Sequence, residues 1–371
     1  MKVPYGYLSR QFSNPTPILD QIKELVSEGD FTLGKKLEKF ENEFSNFIGS
    51  KYAIGVGSGT DALFLSLKAL GIGDGKGYKK DEVITTANTF VATVGSIETA
   101  GARTRFVDCN EKYVMDVNKV EEAITEKTKA IMPVHYSGQP VEMDKLLKIA
   151  NKYNLYIIED ACCAIDAEVD GKRCGTIGIT GAFSLHPQKN LNVWSDGGVI
   201  VTNDSKMKEK LHLLRNHGMK DRDHYAFYAY NSRLDPLQAI VGSHLLPDVK
   251  WITNKRIEIA QKIDKGLEDL KEYIQIPNRP LNERRVYHMY MLLVQDRDKL
   301  YNYLLKNGVD AKIHYPIPLH LQEASKHLNY QEGDFPTAEY QAKNIISLPA
   351  HQHLTDEEVD YTIEMVRKFY L

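Results

Sequence analysis

Residues 52–70 read YAIGVGSGTDALFLSLKAL. A short apolar run, Tyr52 to Val56, is followed by the turn Gly57-Ser58-Gly59 and then by an amphipathic stretch from about Thr60 to Leu70 with helical spacing. This is a strand, loop, helix unit. The same alternation continues with different residues: EVITTANTF (82–90), TRFVDC (104–109), KAIMPVHYSG (129–138), LYIIEDA (155–161), GAFSLH (181–186) and GGVIVTN (197–203) all read as short apolar strands. Helical stretches such as Val141 to Tyr153 separate several of them. Strands alternating with helices predict a mostly parallel sheet covered on both faces, hence a doubly wound α/β domain.

Upstream of this unit, Ile22, Leu25 and Val26, then Leu37, Phe40, Phe44 and Phe47, recur at helical spacing around a break at Gly29-Asp30, which predicts two helices. Downstream, the character changes after Pro247. Trp251 to Tyr273 reads as one long charged amphipathic helix, VYHMYMLLV (286–294) as a strand, DKLYNYLLKNGV (298–309) as a helix ended by Gly308, and EEVDYTIEMVRKFY (357–370) as a last helix. The expected organisation is a large α/β domain over residues 1–249, with its N-terminal helical segment, and a smaller α+β domain over 250–371.

Composition narrows the function. With 371 residues, 42% hydrophobic and 26% charged, the chain is long enough for two cores and ordinary for a globular protein. A net charge of -3, with Lys and Arg scattered, lacks the basic footprint of a nucleic-acid binder. The four cysteines, Cys109, Cys162, Cys163 and Cys174, have neither zinc-site spacing nor the density of a disulfide scaffold, so no metal is expected and the cytoplasm is the expected compartment. MKVPYGYLSRQF has no signal-peptide core, and no apolar run approaches the ~20 residues that span a bilayer; no membrane partner is expected.

Three motifs carry chemistry. In GSGTDA (57–62) small residues let the backbone approach an anion at a helix N-terminus, although a plain tight turn reads equally well. Asp160 follows an apolar strand and so falls at the carboxyl end of a sheet strand, where open α/β folds bind ligands. A carboxylate there can pair with a protonated ring nitrogen; the plainer reading is a helix cap. In SLHPQKN (184–190) Lys189 follows another strand, and a lysine with a depressed pKa in such a place can form an imine with an aldehyde, whereas most lone lysines are solvated. Together they supply an anion cradle, a ring-nitrogen carboxylate and an imine lysine. A nicotinamide dehydrogenase would need GxGxxG after the first strand, and GVGSGT lacks the final glycine spacing.

These residues, with ANTFVAT (87–93), the DGG turn at Asp196 to Gly198, RNHG (215–218), YNSRLD (230–235) and HYPIPLHLQ (314–322), resemble the DegT/DnrJ/EryC1/StrS family of sugar aminotransferases, which have the aspartate aminotransferase fold, pyridoxal-phosphate (PLP) fold type I. The resemblance implies pyridoxal 5′-phosphate as cofactor, cycling through pyridoxamine 5′-phosphate. Gly59, Thr60, Asp61 and Ser184 would hold its phosphate, Phe90 would stack on its ring, Asp160 would face the ring nitrogen, and Lys189 would carry the cofactor and shuttle the proton. Asn231 would reach the cofactor phosphate of a neighbouring subunit, which implies a homodimer with shared active sites. Where the family has Gln or His beside the cofactor's hydroxyl, this chain has Cys163, a poor donor. Ser195 replaces the first glycine of the family's GDGG, and Trp194 before it is a candidate for the substrate pocket. His314, Tyr315 and His320 are similar to the segment that lies by the keto sugar in members acting at the sugar 3-position.

The implied reaction moves an amino group, with glutamate as donor, onto a keto sugar, a nucleotide-linked 3-keto(-6-deoxy) sugar, in amino-sugar biosynthesis. Alternatives are a sugar phosphate or cyclitol ketone as acceptor, or a non-catalytic regulator. Family members that dehydrate sugars carry His in place of the lysine, and here Lys189 is retained.

Overall fold

The structure, a computed structural model, describes residues 1–74 and 80–371. Its centre is a seven-stranded sheet in the spatial order Tyr52–Val56, Gly198–Thr202, Thr180–Ser184, Tyr156–Asp160, Thr128–Ile131, Glu82–Thr86, Arg103–Val107. Gly198–Thr202 pairs antiparallel with both of its neighbours, and every other pairing is parallel. Six strands therefore share one direction, and their carboxyl ends lie along one edge.

The pleat sends successive side chains to opposite faces. Ile54, Val83, Ile158, Ala182 and Ile200 pack with the helices Gly59–Ala69, Val91–Thr99 and Ser205–Arg215. Their strand neighbours point the other way: Ala53, Phe183 and Val199 meet Leu37, Phe40 and Phe44 of the helix Gly34–Ile48, while Ile84, Ile131 and Ile157 meet Met143, Leu146 and Ala150 of Met143–Tyr153. Both faces are thus covered, and the sheet is doubly wound as predicted. The two N-terminal helices are Thr16–Glu28 and Gly34–Ile48, the first closed by Gly29 in the left-handed conformation at φ 70°.

The C-terminal part has its own antiparallel sheet, Ile274–Gln275, Tyr290–Val294 and Ile345–Leu348, packed by the helices Val249–Leu267, Arg297–Lys306 and Asp356–Tyr370. Two expected boundaries move. The long helix stops at Leu267 because Ile274 is taken by pairing with Val294, and a turn at Leu270 to Tyr273 makes the connection. The strand predicted from Val286 begins at Tyr290: the Val286 and His288 amides instead donate to the carbonyls of Gly138 and Ser137 in the large sheet domain. A second small sheet, joining Glu168–Val169, Lys172–Arg173 and Glu283–Arg284, had no sequence signal. The N-terminus crosses over as well, since Val3 bridges Val309 and is buried in the C-terminal cluster.

Candidate active site

At the carboxyl edge of the large sheet lies a cavity of about 380 Å³ whose lining includes Gly59, Thr60, Phe90, Asp160, Cys163, Ser184, Lys189, His314 and Tyr315. The anion cradle is built locally. Ser58 caps the helix Gly59–Ala69, its Oγ accepting the Asp61 amide at 3.0 Å. The Gly59 and Thr60 amides have no acceptor within the helix. A Cβ on Gly59 would stand 2.7 Å from the Ser184 Cβ and 3.0 Å from the Cys162 sulfur, so only glycine lets the turn close onto the end of the Ser184 strand. Asp61 itself does not line the cavity. Its carboxylate accepts the Ser232 hydroxyl at 2.8 Å, and Ser232 accepts the Gly57 amide at 3.1 Å, so Asp61 braces the turn.

Asp160 ends the strand Tyr156–Asp160 and is 5% exposed. One carboxylate oxygen accepts the Thr93 hydroxyl at 2.7 Å and the other the Cys162 amide at 3.2 Å. Thr93 sits on the helix capped by Phe90, whose ring projects over the cavity at 6.0 Å from the Tyr315 ring. The loop bearing Lys189 is held at its backbone: the Tyr7 hydroxyl donates to the Lys189 carbonyl at 2.8 Å, and Asn192 donates to the same carbonyl at 3.0 Å.

Lys189 Nζ lies 3.1 Å from the Cys163 sulfur. Burial disfavours its ammonium form, but Cys163, Cys162 and Asp160 act the other way and its pKa is raised above the ordinary lysine value. Burial, then Lys189, pulls the His186 pKa down, and burial followed by Lys312 and Lys189 takes His314 to about 4. Both imidazoles are therefore neutral near pH 7.

Three further residues singled out in the sequence lie away from this cavity. Trp194 packs edge-on against Phe12 at 5.7 Å, with its amide on Gln238. His320 is buried against Glu339 at 3.0 Å and Phe335, because Glu339 also gathers the Gly333 and Phe335 amides into a hub. Asn231 is exposed, its backbone bridged to Asn216. Sequence reasoning passed over Tyr7, Thr93, Arg256 and His288, which line the cavity too. Thr93 alone left a signal, three residues after Phe90 in the same motif.

The parts fit the expected cofactor: backbone amides and a hydroxyl for a phosphate, an aromatic face for a ring, a carboxylate for its nitrogen and an amine for its aldehyde, all in one cavity at the strand ends. Fold and site together define a PLP-dependent aminotransferase of fold type I. The profile of the DegT/DnrJ/EryC1/StrS aminotransferase family matches residues 15–367. The chain is 39% identical to a pleiotropic regulatory protein of Geobacillus stearothermophilus over all of this chain and 99% of that one. It is 36% identical to the dTDP-3-amino-3,4,6-trideoxy-alpha-D-glucose transaminase of Streptomyces venezuelae over 94% of this chain and 90% of that one. The crystal structure of S. venezuelae DesV in complex with a ketimine intermediate superposes with a TM-score of 0.95 at 35% identity, covering 99% of this chain and 98% of that one. The chain belongs to the DegT/DnrJ/EryC1/StrS aminotransferase family and is an aminotransferase. Among the described residues no helix is long and apolar enough to cross a membrane, and no group of three or more His, Cys, Asp or Glu is placed to hold a metal.

Proposed function

We propose that the enzyme transfers an amino group from glutamate to a nucleotide-linked 3-keto sugar, with Lys189 as its proton carrier. The observation that carries this is Lys189 and Asp160 lining one cavity with the Gly59–Thr60 cradle and Ser184. The bound cofactor supplies an electron sink for the carbanion left when a donor loses its α-proton.

The chain's own residues supply the rest. Asp160 would keep a proton on the ring nitrogen, Phe90 would cover the ring face, and Gly59, Thr60 and Ser184 would hold the phosphate. Lys189 would accept the proton from the donor's α-carbon and hold it for return. His314 and Tyr315, which line the same cavity, would contact the sugar. Relatives named for dTDP-3-amino sugars support the 3-keto acceptor, and the retained Lys189 and Asp160 weigh against a non-catalytic regulator despite the name of the G. stearothermophilus relative.

A homodimer with shared sites belongs to the same proposal. Asn231 and the exposed aromatics Tyr225, Phe227 and Tyr228 form one segment that a second copy would bury. All four cysteines are free, which supports a reducing compartment, here the cytoplasm. The test is a glutamate-dependent assay of 2-oxoglutarate release across nucleotide-linked and phosphorylated keto sugars, run beside Lys189→Ala. The variant is expected to lose the cofactor's visible absorbance and to fall by roughly 10²–10⁴ in rate; an unchanged spectrum overturns the role given to Lys189, and turnover of sugar phosphates alone overturns the acceptor.

A further inference from the structure

The cavity lining includes two cationic side chains, Lys189 and Arg256, and two carboxylates, Asp160 and Asp196, while burial keeps its histidines neutral. Asp160 already has both oxygens bonded, and Asp196 is exposed. Arg256 is 2% exposed, and among the described residues it reaches neutral groups: the Gln352 side chain at 3.0 Å and the carbonyls of Tyr287 and His288 at 3.0 and 3.2 Å, with the Tyr7 ring at 5.1 Å. Among the described residues its Nη2 has no hydrogen-bond partner and no carboxylate forms an ion pair with it. A buried guanidinium without a counter-charge is costly and points to an anion supplied from outside the chain.

Directly beside it, His288 lines the same cavity, its Nδ1 buried without a partner among the described residues and its carbonyl taken by Arg256. Burial, with the charges of Lys189 and Arg256, keeps this imidazole neutral, so it offers an N–H rather than a second charge. Of the two substrates in the proposed reaction, only the amino donor must place a carboxylate next to the carbon that Lys189 deprotonates. We propose that His288 is the hydrogen-bond donor to the α-carboxylate of the amino donor, with the buried, unpaired Arg256 behind it supplying the compensating charge. Arg256 acts through its field and by fixing the His288 backbone, and need not touch the ligand.

This assignment rests on the aminotransferase reading, and the two fail separately. The experiment titrates glutarate, a dicarboxylate with no amino or keto group, calorimetrically into the PLP-loaded enzyme and into His288→Phe, His288→Ala and His288→Gln, with the visible spectrum of each recorded first. Loss of one charge-assisted hydrogen bond should weaken glutarate roughly tenfold or more in the Phe and Ala variants, with partial recovery in Gln. The donor KM should rise in step while the keto-sugar KM stays put, a split that general loosening of the site would not produce. Glutarate affinity equal to the parent's in a Phe or Ala variant that keeps its visible band overturns the assignment. A parent enzyme whose visible band does not respond to any amino acid overturns the aminotransferase reading instead.

Discussion

Both oxygens of Asp160 are engaged within the protein, one by the Thr93 hydroxyl and one by the Cys162 amide. The Thr93 bond fixes the carboxylate plane that would face the ring nitrogen, and a hydrogen bond to a charged group is worth ~1.5–3 kcal/mol. Thr93→Val keeps the shape and removes the bond, so kcat should fall about tenfold or more while the urea midpoint moves little, and Thr93→Ser should recover most of the loss. A Val variant with the parent's kcat would show that Asp160 is oriented without Thr93. Lys189 and Asp160 were legible in the sequence because each follows an apolar strand in an α/β alternation, which places it on the edge where ligands bind. Cys163 was legible as a departure but not as a contact, since nothing in the order of residues says that its sulfur meets the lysine amine.

At the level of elements, the turn and helix that start the chain's first strand-loop-helix unit depend on one missing side chain. Gly59→Ala would set a Cβ against Ser184 and Cys162 at distances that force the helix N-terminus off the strand end. Overpacking of this kind costs roughly 1–3 kcal/mol. The expected result is a variant with unchanged far-UV circular dichroism, a lower melting temperature and cofactor affinity weakened by about tenfold, because the Gly59 and Thr60 amides move away from Ser184. Parent-like cofactor affinity by calorimetry would remove this turn from the phosphate site. The sequence-based element types held wherever periodicity was long and apolar. They slipped at residues 268–273 and 286–289, where pairing of Ile274 with Val294 and bonds from Val286 and His288 to residues 137–138 overrode local pattern.

For the whole molecule, two measurements probe assembly and electrostatics. If Asn231 serves the partner's site, mixing Lys189→Ala with Asn231→Asp subunits leaves one intact site per mixed dimer, and random exchange should restore about a quarter of parental activity from two inactive proteins. No recovery after confirmed subunit exchange would return Asn231 to its own protomer. Burial, the largest cause in each case, lowers the pKa of His314 and of His212 from 6.5 to about 4 and that of His351 to about 3. The unfolded chain therefore binds protons in this window that the folded chain refuses, so the stabilisation is present above pH 6.5 and is lost as pH falls toward 4. For His314 alone the shift corresponds to about 3 kcal/mol over the full window. His314→Gln should show a shallower loss of urea-unfolding free energy between pH 7 and 5 than the parent, and equal slopes would refute the attribution. Order along the chain determined the fold class and the sheet's direction and singled out Lys189, Asp160 and the Gly57–Ala62 turn as candidates, because hydrophobic period and turn residues are local properties that survive without coordinates. Only the tertiary structure decided that Tyr7 braces the lysine loop, that Arg256 is buried unpaired beside His288, and that Trp194 and His320 turn away from the cavity. Those facts arise from residues as far as 182 positions apart meeting in space, and no periodicity records such meetings.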